Sequence, residues 1–141
     1  MKLRVLTATN KGKLLSLAEM ISKKGQSDYA VDVIPPAYSC ERERLVVIVA
    51  TVGGKMKNSF EIFCKDLNRG RAQHVALLID GTPENAAPVI EWIKGAGANL
   101  YDEVLYMNGG MPFKFMRKAS DEEQKTALDW FDKVLEWMNN N

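Results

Sequence analysis

The chain has 141 residues, 46% hydrophobic and 26% charged, which suits one soluble globular domain with an ordinary core. Nineteen Lys and Arg against eighteen Asp and Glu give a formal charge of +1, so no general attraction to nucleic acid or acidic membranes is expected. Two cysteines, Cys40 and Cys64, have neither CxxC spacing nor a histidine cluster, which argues against a metal centre or disulfide framework and for a reduced, cytoplasmic protein.

Met1-Lys2 leads directly into a strand pattern, without the features of a signal peptide, and no apolar run is long enough to span a bilayer. Leu3-Arg4-Val5-Leu6-Thr7 reads as a first strand. Leu14, Leu17/Ala18 and Ile21 then recur at helical spacing as far as Lys23-Lys24-Gly25. Tyr29, Val31 and Val33 alternate with Ala30, Asp32 and Ile34 until Pro35-Pro36 stops the run, as in an edge strand. Residues 35–44 follow in place of a helix.

Leu45-Val46-Val47-Ile48-Val49-Ala50 and Val75-Ala76-Leu77-Leu78-Ile79 are continuously apolar, the pattern of central parallel strands covered on both faces. The first leads to a helix with Phe60, Phe63/Cys64 and Leu67 on one side. After the second, Thr82 as N-cap and Pro83 at the first helical position open a helix burying Val89, Ile90 and Ile93. Val104-Leu105-Tyr106-Met107 makes a fifth strand. The capping box Ser120-Asp121-Glu122-Glu123 starts a final helix that buries Leu128, Phe131, Leu135 and Met138, and the Asn139-Asn140-Asn141 tail is expected to fray.

Repeated strand–helix units predict a single α/β domain over residues 1–141, a three-layer sandwich around a five-stranded parallel sheet in the order 2-1-3-4-5. Strands 1 and 3 then send their helices to opposite faces, and a crevice opens at their carboxyl ends. Three loops converge there: Thr9-Asn10-Lys11-Gly12-Lys13-Leu14, Thr51-Val52-Gly53-Gly54-Lys55-Met56, and the loop containing Asp80, Gly81, Thr82 and Asn85. A loop opening a helix aims unpaired N–H groups and the positive helix end at one point, which suits a phosphate. Glycines at 53, 54 and 81 let a flat ligand approach the backbone.

In length, element order and these three loops the chain resembles the short-chain flavodoxins. The segment from Lys2 to Gly12 aligns without gaps onto that family's first strand and phosphate loop, usually (S/T)-x-T-G-N-T. Thr9 matches its first hydroxyl and Gly12 its glycine, while Lys11, Lys13 and Leu14 replace the other donors. Thr51-Val52-Gly53-Gly54-Lys55-Met56 resembles a T-Y-G-G-x-M loop with valine for the aromatic, and the third loop carries no tyrosine. The resemblance implies noncovalent FMN, with the phosphate at residues 9–14 and the isoalloxazine between residues 51–56 and 80–85. It also implies electron transfer, either as a carrier with a redox partner protein or as an FMN-dependent reductase. Lysines at 11 and 13 would supply charge for the lost donors, and with Lys55 and Lys57 would favour reduced flavin and a higher potential than a low-potential carrier has. The other reading is a flavin-free binding or interaction module on the same fold.

No catalytic side chain or metal ligand is assigned. A phosphoacceptor receiver is excluded because Thr7-Ala8-Thr9 and Ala50-Thr51 stand where its carboxylates belong. A nucleophilic hydrolase lacks a histidine partner, since His74 is placed at the opposite end of the sheet as a surface or strand-edge residue. Cys64 reads as buried and Cys40 as more exposed. Trp130 and Trp137 form a packing seam or a homodimer patch on the final helix, so monomer and homodimer both fit. Asn108 to Lys118, rich in Phe, Met and basic residues, reads as a satellite core or a partner surface.

Overall fold

The computed structural model describes residues 2–110 and 118–141. Chain order is β1 (Leu3–Ala8), α1 (Gly12–Lys24), β2 (Asp32–Val33), β3 (Glu43–Thr51), α2 (Asn58–Asp66), β4 (Ala72–Asp80), α3 (Pro83–Gly95), β5 (Asn99–Leu100), β6 (Leu105–Tyr106) and α4 (Asp121–Asn139). All pairings are parallel, in the order β2-β1-β3-β4, with β5 and β6 both on the outer edge of β4.

β6 lies within the expected fifth strand, residues 104–107, whereas β5 is a further short edge piece that precedes it and was not expected. Val75 pairs with Leu100 and Leu78 with Leu105, so β4 advances three residues while the edge advances five. The two extra residues bulge out between them. Trp130 Nε1 on α4 donates to Glu103 O at 2.8 Å, which gives the bulge a hydrogen bond that the ladder cannot. Strand β2 is likewise shorter than its alternation suggested, pairing only Asp32 and Val33 with β1.

Each face of the sheet carries its own core. Leu3, Val5, Val47 and Leu78 pack beneath Leu14, Leu17 and Ile21 of α1 and Phe131 and Val134 of α4. Leu6, Val46, Ile48 and Leu77 pack beneath Phe60 and Cys64 of α2 and Val89 and Ile93 of α3. Central strands read as apolar runs because both faces are covered. On α4 the buried stripe is Ala127, Trp130, Phe131, Val134 and Met138, leaving Leu128 and Leu135 half-buried rather than fully covered.

Residues 35–44 contain no helix, and Cys40 from this connection, with Ile34 just before it, enters the α2/α3 core. Cys40 is therefore only 2% exposed, contrary to the exposure expected from its polar neighbours. Burial pushes its thiol up to about 11 and that of Cys64 to about 12, and both cysteines are free. His74 is also buried. Its Nδ1 faces Arg44 O at 3.1 Å, its Nε2 faces Asn141 O at 3.0 Å, and the Trp137 ring packs edge-on at 5.0 Å. The tail folds back across the amino end of β4, which removes His74 from the surface and holds residues expected to fray.

Candidate functional site

The carboxyl ends of β1, β3 and β4 bring residues 9–14, 51–56 and 80–85 together as the strand order requires. Side-chain contacts cross all three strands. Thr9 Oγ1 lies 2.7 Å from Thr51 Oγ1, and Thr51 Oγ1 donates to Asp80 Oδ2 at 3.0 Å. Lys11 Nζ approaches the same oxygen at 2.6 Å, and the Gly109 N–H donates to Asp80 Oδ1 at 2.8 Å. Burial of Asp80 opposes its ionisation, but the bonds from Lys11, Gly109 and Thr51 outweigh it and hold the carboxyl below its usual range.

α1 starts without a side-chain cap. Its N-cap is Lys11, in extended conformation, whose own N–H donates to Thr9 Oγ1 at 3.2 Å. The first backbone bond that closes the helix is Leu15 N–H to Lys11 O, at 3.1 Å. The preceding N–H groups, on Gly12, Lys13 and Leu14, therefore lie before the helical ladder begins. Leu14 itself is fully buried in the core, so only its backbone is available to a ligand.

Lys13 is also buried, at 3% exposure, and points away from solvent. Its Nζ donates to Asn108 O at 2.9 Å and pairs with Glu123 Oε2 at 2.7 Å. Glu123 Oε1 closes the α4 capping box by accepting from Ser120 N–H at 3.0 Å. One carboxylate thus caps α4 and neutralises a lysine of α1. The bond from Lys13, then those from Ser120, hold the Glu123 carboxyl below its usual range.

Glycine is required where these loops meet. Gly81 has φ +148°, and a Cβ there would stand 2.6 Å from Val52 Cγ2. At Gly109 a Cβ would lie 2.6 Å from both Asp80 Oδ2 and Lys11 Cδ. Val52 is buried and Met56 half-buried against the α2/α3 core, while Gly54, Lys55, Thr82 and Asn85 are exposed. Asn10 is exposed, Gly53 is partly covered beside Asn85, and Thr82 caps α3 by accepting from Asn85 N–H at 3.2 Å.

Among the described residues, three contributors lie outside the loops identified from the sequence: Asn108 through its carbonyl, Gly109 through its N–H, and Glu123. Asn108-Gly109-Gly110 directly follows β6 and was a readable turn signal, but nothing local ties it to Asp80. Residues 111–117, including Phe113 and Phe115, lie outside the described residues. Among the described residues there is no cluster of His, Cys, Asp and Glu suited to a metal, and no helix is long and apolar enough to cross a membrane. Trp130 and Trp137 serve internal packing, with Trp137 between His74 and Tyr101. A polar recess of about 430 Å³ lies at the amino end of the strands, lined by Arg69, Gln73, His74, Asn99 and Asn141.

No family model and no curated protein matches the chain. Among solved structures it is similar to that of a flavodoxin from the domain Archaea, with 14% identity, 99% of each chain covered and a TM-score of 0.68. The fold is flavodoxin-like.

Proposed function

We propose that this flavodoxin-like domain binds FMN noncovalently at the carboxyl ends of β1, β3 and β4 and serves as a cytoplasmic electron-transfer protein with a protein redox partner. The observation that carries this reading is the uncapped first turn of α1, placed beside two glycine-bearing loops at the switch point of the sheet. The residues fit a phosphate through the N–H groups of Gly12, Lys13 and Leu14, with Lys11 alongside. They fit a flat ring through the backbone of Gly53, Gly54 and Gly81, with the half-buried Met56 beside it and Val52 buried beneath Gly81 as support.

When bound, FMN supplies one- and two-electron transfer. The chain orients it: Gly81 and Gly53 permit close approach, Val52 and Met56 exclude water, and Lys55 and Lys57 at the exposed rim bring positive charge. Lys11 and Lys13 are already matched by Asp80 and Glu123, so the charge favouring reduced flavin comes chiefly from Lys55 and Lys57. The higher-potential behaviour then depends on these two residues, and a titration of the Lys55→Gln/Lys57→Gln variant should give a more negative couple.

The Lys11–Asp80 pair supports a second reading, a flavin-free interaction module whose crevice is closed by its own side chains. Titrating purified protein with FMN separates the two. Quenching of flavin fluorescence at micromolar concentrations is expected for the first, and absence of binding leaves the second.

A further inference from the structure

The direction of each hydrogen bond around Asp80 is fixed by chemistry. An ionised carboxylate only accepts, so the Thr51 hydroxyl donates to it. Thr51 Oγ1 must then accept from the Thr9 hydroxyl, and Thr9 Oγ1 accepts from Lys11 N–H. Both hydroxyl protons are committed towards Asp80 and neither is free for an incoming anion. Lys13 is committed too, to Asn108 O and Glu123. Of these groups only Lys11 Nζ can change partner: its side chain is 22% exposed, and Asp80 retains Thr51 and Gly109 when Lys11 leaves.

We infer that Asp80 is the specificity-determining residue of this crevice, holding Lys11 as a counter-ion that an oxyanion must take over in order to bind. The inference rests on the reading that the first turn of α1 receives a phosphate. A singly charged ligand gains from Lys11 no more than Asp80 loses. A doubly charged phosphate ester feels twice the attraction of Lys11 and the first-turn N–H groups and twice the repulsion of Asp80. It gains where it lies nearer those donors than the carboxylate, while the Lys11–Asp80 contact given up stays the same. The crevice therefore admits dianionic phosphate esters and rejects carboxylates, and the buried charge of Asp80 sets that threshold.

The test uses inorganic phosphate and acetate as probes at about pH 8, where phosphate is doubly charged. Amide signals of Gly12, Lys13 and Leu14 are followed in ligand-free wild type, Asp80→Asn and Asp80→Asn/Lys11→Met. Asparagine keeps an acceptor for Gly109 N–H. Phosphate should bind Asp80→Asn about tenfold more tightly than wild type, the Lys11→Met change should remove that gain, and acetate should bind only Asp80→Asn. Equal or weaker phosphate binding to Asp80→Asn, or acetate binding to wild type as well as phosphate does, overturns the assignment. In wild type alone, the Asp80 carboxyl carbon signal should move as phosphate is added, and a static signal beside moving amides also overturns it. Failure of wild type to bind FMN with the Asp80→Asn gain intact removes the flavin and keeps the role of Asp80. FMN binding without that gain does the reverse.

Discussion

Two ion pairs at opposite ends of this sheet have opposite surroundings. At the carboxyl end, Lys11 and Asp80 meet at 2.6 Å, and both carboxylate oxygens receive further donors from Thr51 and Gly109. Near the amino end, Arg4 of β1 and Glu43 of β3 are each 2% exposed and approach only to 3.9 Å. Among the described residues, Arg4 Nε and Nη1 and Glu43 Oε2 have no hydrogen-bond partner, and the guanidinium instead lies 4.5 Å from the centre of the Tyr29 ring. A charge that is ringed by donors and left partly open is available for binding. One that is buried with orphaned atoms acts only on stability, and unfavourably if its partner is removed.

The largest effect should come from breaking the poorly satisfied pair on one side. Arg4→Met leaves Glu43 buried without a counter-charge and should cost about 3–5 kcal/mol in urea unfolding. At the carboxyl end, Thr51→Val removes the donor to Asp80 and the acceptor for Thr9, with an expected cost of about 1–2 kcal/mol. Removing both charges at the amino end, as Arg4→Met/Glu43→Leu, should bring stability back to within about 1 kcal/mol of wild type, because no charge is then left unpaired. If the double variant is as unstable as the single, the orphaned atoms are not the source of the cost.

The smallest effect is expected from pH. The Asp80 carboxyl titrates lower in the folded state than in the unfolded chain, so its contribution is complete above the ordinary carboxylate range. That contribution is lost as pH falls through the lowered value, below about pH 4. Asp80→Asn should therefore show a shallower loss of stability than wild type over that acid range. Equal slopes would place the acid sensitivity elsewhere, for instance at Glu123, whose carboxyl is lowered by Lys13 and Ser120.

Much of the fold was legible because its signals are local. The apolar runs of β3 and β4 announce burial on both faces, and Thr82-Pro83 and Ser120-Glu123 mark the starts of α3 and α4, where the expected cap bonds occur. The added edge piece β5 was not legible, since the bulge between it and β6 is stabilised by Trp130 from a helix about thirty residues away. Burial of Cys40 and His74 escaped for the same reason: each is covered by chain remote from its own strand pattern.

At the candidate site, the sequence by itself pointed to which loops meet, because repeated strand–helix units imply a doubly wound sheet whose switch point gathers them, and the glycines mark close approach. It also determined that lysines stand at positions 11 and 13. Only the tertiary structure decided what those lysines do. Lys11 finds Asp80 across two strands and Lys13 finds Glu123 on the last helix, and a charge takes its partner from whatever packing places within a few ångströms, which no local pattern encodes.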